Sequence, residues 1–119
     1  MSTICTPQKC PCRTPCPLTS ALELIGGKWK IAIICSLNQD GPLRYNELKR
    51  KIGGITNTML ASSLKDLEAD RMVTRTQFME MPVRVEYSLT EKCSTLIPIL
   101  LQLAQWGLEH SPGGDIAAD

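Results

Sequence analysis

Apolar positions along this chain recur first at helical and then at strand spacing, and each change of period marks an element. Leu18, Ala21, Leu22 and Ile25 fall on one helical face, which predicts a first helix beginning near Thr19 or Ser20 and closed by Gly26-Gly27. Ser20 followed by Glu23 has the capping-box spacing. From Lys28 to Leu37 few polar positions remain, so a second helix is expected to be central and buried, with Cys35 a small core residue. Asp40-Gly41-Pro42 is a turn signal. A third, amphipathic helix follows over Tyr45 to Ile52, with Leu48 and Ile52 inward. Gly53-Gly54 closes it, and Thr56 is a suitable N-cap for a fourth helix from Asn57 to about Asp70 with Leu60, Leu64 and Leu67 as its buried stripe.

The period then falls to two. Val73 to Phe78 and Arg84 to Leu89 alternate and carry β-branched residues, which predicts two strands joined by Met79-Glu80-Met81-Pro82-Val83. Thr90 is positioned to cap a long last helix reaching about His110, kinked where Pro98 frees the carbonyl of Ser94. Leu96, Ile97, Ile99, Leu100, Leu101, Leu103, Ala104, Trp106 and Leu108 are too many for a single buried stripe. A helix apolar on more than one side needs a partner, and this one is read as a dimer interface shared with the first helix. The chain thus divides into a Cys/Pro-rich arm over 1–17, a domain over 18–110 that includes a dimerisation helix at 90–110, and a flexible tail over 111–119. The fold class is α+β, mainly α: a winged helix-turn-helix with a C-terminal dimerisation helix.

Helix, short turn, helix and hairpin in that order make a unit that docks on duplex DNA. The fourth helix supports this on its outward side, where Thr58, Ala61, Ser62 and Lys65 form a small, polar, lightly basic face. A helix entering a major groove needs such a face, since bulky groups block approach and acids repel phosphate. Thr58, Ser62 and Lys65, with Asn57 near the helix start, are the candidate groove contacts. Arg44 and Lys49 are candidate phosphate contacts, and Arg84 the wing contact. A plain solvated helix face and a hairpin that only covers the core are the alternatives, and for Arg75 core cover and DNA contact are equally open.

The net charge is only +1, but it is uneven: Arg44, Lys49, Arg50 and Lys51 face Glu47 alone, whereas acids gather at Asp66, Glu68 and Asp70. Local patches, not totals, make an electrostatic footprint. No apolar run approaches the ~20 residues of a membrane span, and no export-signal pattern opens the chain, so the cytoplasm is the expected compartment. In that compartment the six cysteines are thiols or metal ligands before they are structural disulfides. An enzyme is disfavoured: His110 is the sole histidine, and the sequence holds neither a nucleophile elbow nor a phosphate loop. A winged helix that serves only protein contacts is the remaining alternative; it would lack salt-dependent DNA affinity.

Between Cys16 and Gly107 the chain resembles the HxlR family of winged-helix regulators, relatives of the MarR type. The resemblance rests on CPLTSALELIGGKWKIAIICSL, GPLRYNELKRKIGGIT, MLASSLKDLEADRMV and PVRVEYSLTEK. It implies a homodimer that binds double-stranded DNA, a recognition helix over Asn57 to Asp70 and a wing around Met81 to Arg84. It also implies a repressor that senses oxidants or electrophiles through a cysteine just before the first helix, the position Cys16 occupies. Two residues depart from the family: Arg71 and Cys93 each stand where glycine is usual. The second departure adds a thiol near the expected dimer interface.

Cys5, Cys10, Cys12 and Cys16 are spaced too irregularly for the usual zinc pairs, though an iron–sulfur cluster or a soft metal tolerates such spacing. A thiol switch is the favoured reading. Cys16 precedes a helix start, and Lys9 and Arg13 are near in sequence; both effects favour the reactive thiolate. Oxidation would join Cys16 to another arm cysteine or to Cys93 across the dimer. An arm whose thiols have no function is the third reading.

Overall fold

In the computed structural model, which describes residues 16–111, the first helix, α1, spans Pro17–Leu24. It starts before Thr19. Pro17 occupies the first turn, where its missing N–H is no loss, and Cys16 is the N-cap. The expected Ser20–Glu23 capping box does not form, because Ser20 already lies inside the helix and its amide donates to the Cys16 carbonyl at 2.9 Å. No residue of α1 is buried: Leu18 and Leu22 are 61% and 52% exposed, and of the expected apolar face only Ile25, just past the helix, is buried.

Helix α2 (Gly27–Asp40) is central, as its composition suggests, and buries Ile33, Ile34 and Leu37. Cys35 is the correction: it is exposed. A helix turns about 100° per residue, so a side chain next to Ile34 swings off the face that Ile33, Ile34 and Leu37 share. Gly41, with φ of 75°, ends α2 and turns the chain toward α3 (Tyr45–Lys51), whose start is capped by Glu47 Oε1 accepting from the Arg44 amide at 2.8 Å. Asp40 and Lys51 form an ion pair between the ends of α2 and α3.

Helix α4 (Asn57–Ala69) follows the expected pattern closely. Thr56 Oγ1 accepts from the Met59 amide at 3.1 Å, and Leu60, Leu64 and Leu67 are buried together with Ser63. Strands β1 (Val73–Phe78) and β2 (Arg84–Leu89) pair antiparallel, in register from Val73 opposite Leu89 to Phe78 opposite Arg84. A third edge, unforeseen from sequence, is added by Leu43, which exchanges backbone hydrogen bonds with Tyr87 at 3.0 and 2.8 Å. That bridge ties the α2–α3 connection to the hairpin.

The last helix is two helices. Thr90 does cap, its Oγ1 accepting from the Cys93 amide at 3.1 Å, but α5 covers only Glu91–Ser94 and α6 runs Ile97–His110. Pro98 therefore sits in the first turn of a new helix and not at a kink within a long one. A break there leaves no intrahelical bond for the proline to destroy. The core gathers Ile33, Ile34 and Leu37 with Leu48, Leu60, Leu64, Leu67, Met72, Val73 and Cys93. Helix α6 contributes only Ile97 and Leu100 to its margin. Ile99, Leu101, Leu103, Trp106 and Leu108 stand 49–63% exposed.

Candidate nucleic-acid interface

The buried leucines of α4 fix its rotation, and that rotation sets the opposite face outward. Asn57, Thr58, Ala61, Ser62 and Lys65 are all exposed. Thr58, Ser62 and Lys65 follow one another at helical spacing, so they stand in one row. Among the described residues Lys65 has no ion-pair partner, whereas its neighbour Asp66 pairs with Lys30 of α2 at 3.7 Å, on the flank of that row.

The turn between α3 and α4 is braced by a contact the sequence did not announce. The Tyr45 hydroxyl donates to the backbone carbonyl of Asn57 at 3.0 Å and lies 3.5 Å from its Oδ1. Tyr45 opens α3 and Asn57 opens α4, so this bond fixes the start of one helix against the start of the other. The Asn57 side chain, expected only as a groove contact, is thereby also oriented from below. The signal available in sequence was an aromatic residue with a polar tip at a half-buried helix start, which usually finds a hydrogen-bond partner.

Arg44 is exposed at the start of α3 and Lys49 is half-buried in its last turn. Among the described residues neither side chain has an acid partner, so both charges are available to phosphate.

Arg84 is placed differently. Its guanidinium pairs with Glu80 at 3.0 Å and with Glu86 at 3.7 Å, and lies over the Phe78 ring at 4.1 Å. The basic wing expected from sequence is thus internally neutralised at its tip. The hairpin's other cations, Arg71 and Arg75, are exposed near its base. Arg71 adopts φ of 62°, a left-handed conformation that favours glycine.

The thiols separate. Cys16 is buried at 7% exposure at the N-terminus of α1. Cys93 is fully buried, and burial foremost, with nearby Cys35 second, pushes its thiol above the ordinary range. Its thiolate is correspondingly scarce at neutral pH. Cys35 opens onto a cleft of about 320 Å³ between α2 and α6, beside Asn38, Ile97, Leu100 and Leu101. Cys5, Cys10 and Cys12 lie outside the described residues, and so does the four-cysteine metal site they would form with Cys16. Among the described residues no three His, Cys, Asp or Glu side chains gather into a metal site, and no helix is long and apolar enough to cross a membrane.

The HxlR-like helix-turn-helix family matches residues 24–114. An uncharacterised HTH-type transcriptional regulator of Halalkalibacterium halodurans is 52% identical over 94 residues, which are 79% of this chain and 83% of that protein. Among solved structures, the redox regulator HypR in its oxidised form is 44% identical with a TM-score of 0.73, over 80% of this chain and 97% of that one. The reduced form of the regulator YodB from B. subtilis is 38% identical with a TM-score of 0.75, over 82% and 95%. Sequence match, fold and an outward polar face on the second helix of a helix-turn-helix agree: this chain belongs to the HxlR-like helix-turn-helix family and is a DNA-binding transcriptional regulator.

Proposed function

We propose that the chain acts as a homodimeric, sequence-specific repressor whose DNA affinity is lowered when Cys16 is oxidised or alkylated. The observation that carries the DNA-binding geometry is the row Thr58, Ser62 and Lys65, held outward by buried leucines and braced at its start by Tyr45. Thr58 and Ser62 meet base edges, and Asn57 reads from the helix start. Lys65, Arg44 and Lys49 meet phosphate. Phosphate contacts fix register and base contacts give sequence preference.

Dimerisation is supported by α6. Leu101, Leu103, Trp106 and Leu108 of α6 are large apolar side chains left exposed, as are Leu18 and Leu22 of α1, and exposed apolar side chains gathered in this way mark an interaction surface. Two copies joined there would carry two recognition helices to half-sites about 34 Å apart, one turn of DNA.

The thiol control is supported by the place of Cys16 and by the redox regulator among the similar structures. Cys16 holds the N-cap position of α1, the positive end of that helix, where a thiolate is favoured. Modification there changes the start of a helix that forms part of the proposed dimer surface, and hence the spacing of the recognition helices.

A gel shift on the DNA upstream of the chain's own gene, before and after diamide, tests this. Reversible loss of the shift, abolished by Cys16→Ser, is the expected result. A shift unaffected by diamide would overturn the thiol control and leave the DNA binding standing.

A further inference from the structure

Two apolar features face solvent and take no part in the proposed DNA contacts. One is a projection. Met79, Met81 and Val83 at the β1–β2 turn are 85%, 97% and 53% exposed. Glu80 and Glu86 share the single guanidinium of Arg84 there, so the projection is apolar with a net negative rim, which phosphate repels. The other is a recess. Helix α6 is apolar on two opposite sides: Ile99, Leu103 and Trp106 recur at i, i+4 and i+7 on one, and Ile97, Leu100, Leu101 and Ala104 follow one another on the other. The first side is left for the dimer partner. The second lines the cleft of about 320 Å³ against α2, whose wall adds the amides of Asn38 and Gln39 and no charged side chain.

We propose that the β1–β2 turn of one copy inserts Met79 and Met81 into the α2–α6 cleft of a copy in the neighbouring dimer on DNA. Projection and recess match in chemistry. Methionine is unbranched and polarisable, so it fills irregular apolar gaps. With no acid in the cleft wall the negative rim meets no repulsion there, and the Asn38 and Gln39 amides are donors for Glu80. The two surfaces belong to different elements, so the contact is heterologous: each copy offers one projection and one recess, and copies link head to tail. A contact of two side chains falls well short of the ~1,000 Å² of a stable interface. It therefore acts where DNA already holds two dimers side by side at high effective concentration. The consequence is cooperative filling of tandem sites. The proposal rests on the DNA-binding reading and goes beyond it, since the contact lies between dimers and not within one.

The test uses the full chain and a duplex that it selects from a randomised pool, carried once or as two tandem copies at stepped spacings. At the favoured spacing the parent should fill the second site about tenfold more tightly than the first. Met81→Ser should bring that ratio to one, and so should Cys35→Phe, which fills the recess on the other partner. A Met81→Cys, Cys35→Ser chain mixed with the parent under mild oxidation should form a disulfide between the introduced thiol and the parent's Cys35. Mass mapping should find that link on the tandem duplex and not on the single one. Independent filling at every spacing, or a link equally strong on the single duplex, would overturn the contact between dimers. So would Met81→Ser weakening both sites alike with the ratio kept, which would assign the turn to DNA. A parent chain that enriches no duplex would instead overturn the DNA-binding reading beneath it.

Discussion

The hydroxyl of Tyr45 reaches the carbonyl of Asn57 at 3.0 Å, and this one bond joins the first residue of α3 to the first residue of α4. It sets the angle between the two helices at the end nearest the proposed DNA. Tyr45→Phe removes the bond and keeps the ring. Folding stability should fall by ~0.5–1.5 kcal/mol, the net worth of a hydrogen bond. DNA affinity should fall further than that loss explains, which anisotropy titration beside urea denaturation will show. Equal affinity would mean that the brace has no part in presenting α4.

Lys65 and Leu64 are adjacent on α4 and should fail in opposite ways. Lys65→Ala should leave the melting temperature unchanged, weaken DNA binding and reduce the salt slope by ~1. Leu64, 2% exposed, should cost ~2–5 kcal/mol of stability on truncation to Ala. Unchanged affinity in Lys65→Ala would show that this face of α4 does not meet the DNA.

Arg71 holds a left-handed conformation, φ 62°. Its Cβ costs ~1–2 kcal/mol there, against ~0.5–1 kcal/mol for the greater unfolded-state freedom of glycine. Arg71→Gly should therefore stabilise the chain by up to ~1.5 kcal/mol, read from the urea midpoint. Loss of stability would mean that the Arg71 side chain contributes more than its backbone costs.

Cys35 and Cys93 should be chemically distinct. Iodoacetamide at neutral pH should label exposed Cys35, while buried Cys93 reacts only after urea is added, as mass mapping will show. The folded-state pKa of Cys93 is raised above its unfolded value. Its contribution to stability is thus complete below the unfolded thiol pKa, ~8.5, and is lost as pH rises through the folded value. Cys93→Ala should flatten that alkaline loss. Rapid labelling of Cys93 in the folded chain would contradict its burial.

Most of the fold was legible because it follows from periodicity. The stripe of Leu60, Leu64 and Leu67, the Thr56 cap and both strands stand where apolar spacing and turn residues indicate. The failures share a cause, which is that local pattern does not report tertiary partners. Pro98 reads as a kink only if the chain is helical on both sides, and the helix instead ends at Ser94, with the Leu96 amide donating to the Cys93 carbonyl at 2.9 Å. Arg84 reads as a free cation until Glu80 and Glu86 are seen within reach of it. Cys35 looks buried in a run of apolar residues, yet helix rotation decides each side chain separately. The polar row on α4 was legible because one periodicity determines both faces; the Tyr45 brace, spanning two elements, was not.

Two copies of the chain docking one duplex through α4 are the central expectation. Sedimentation and anisotropy on a single duplex selected by the parent chain measure stoichiometry and salt dependence together. Two chains per duplex are expected, with affinity falling steeply as salt rises and weakened in Lys65→Ala. A single chain per duplex, or binding indifferent to salt and to Lys65, would contradict it.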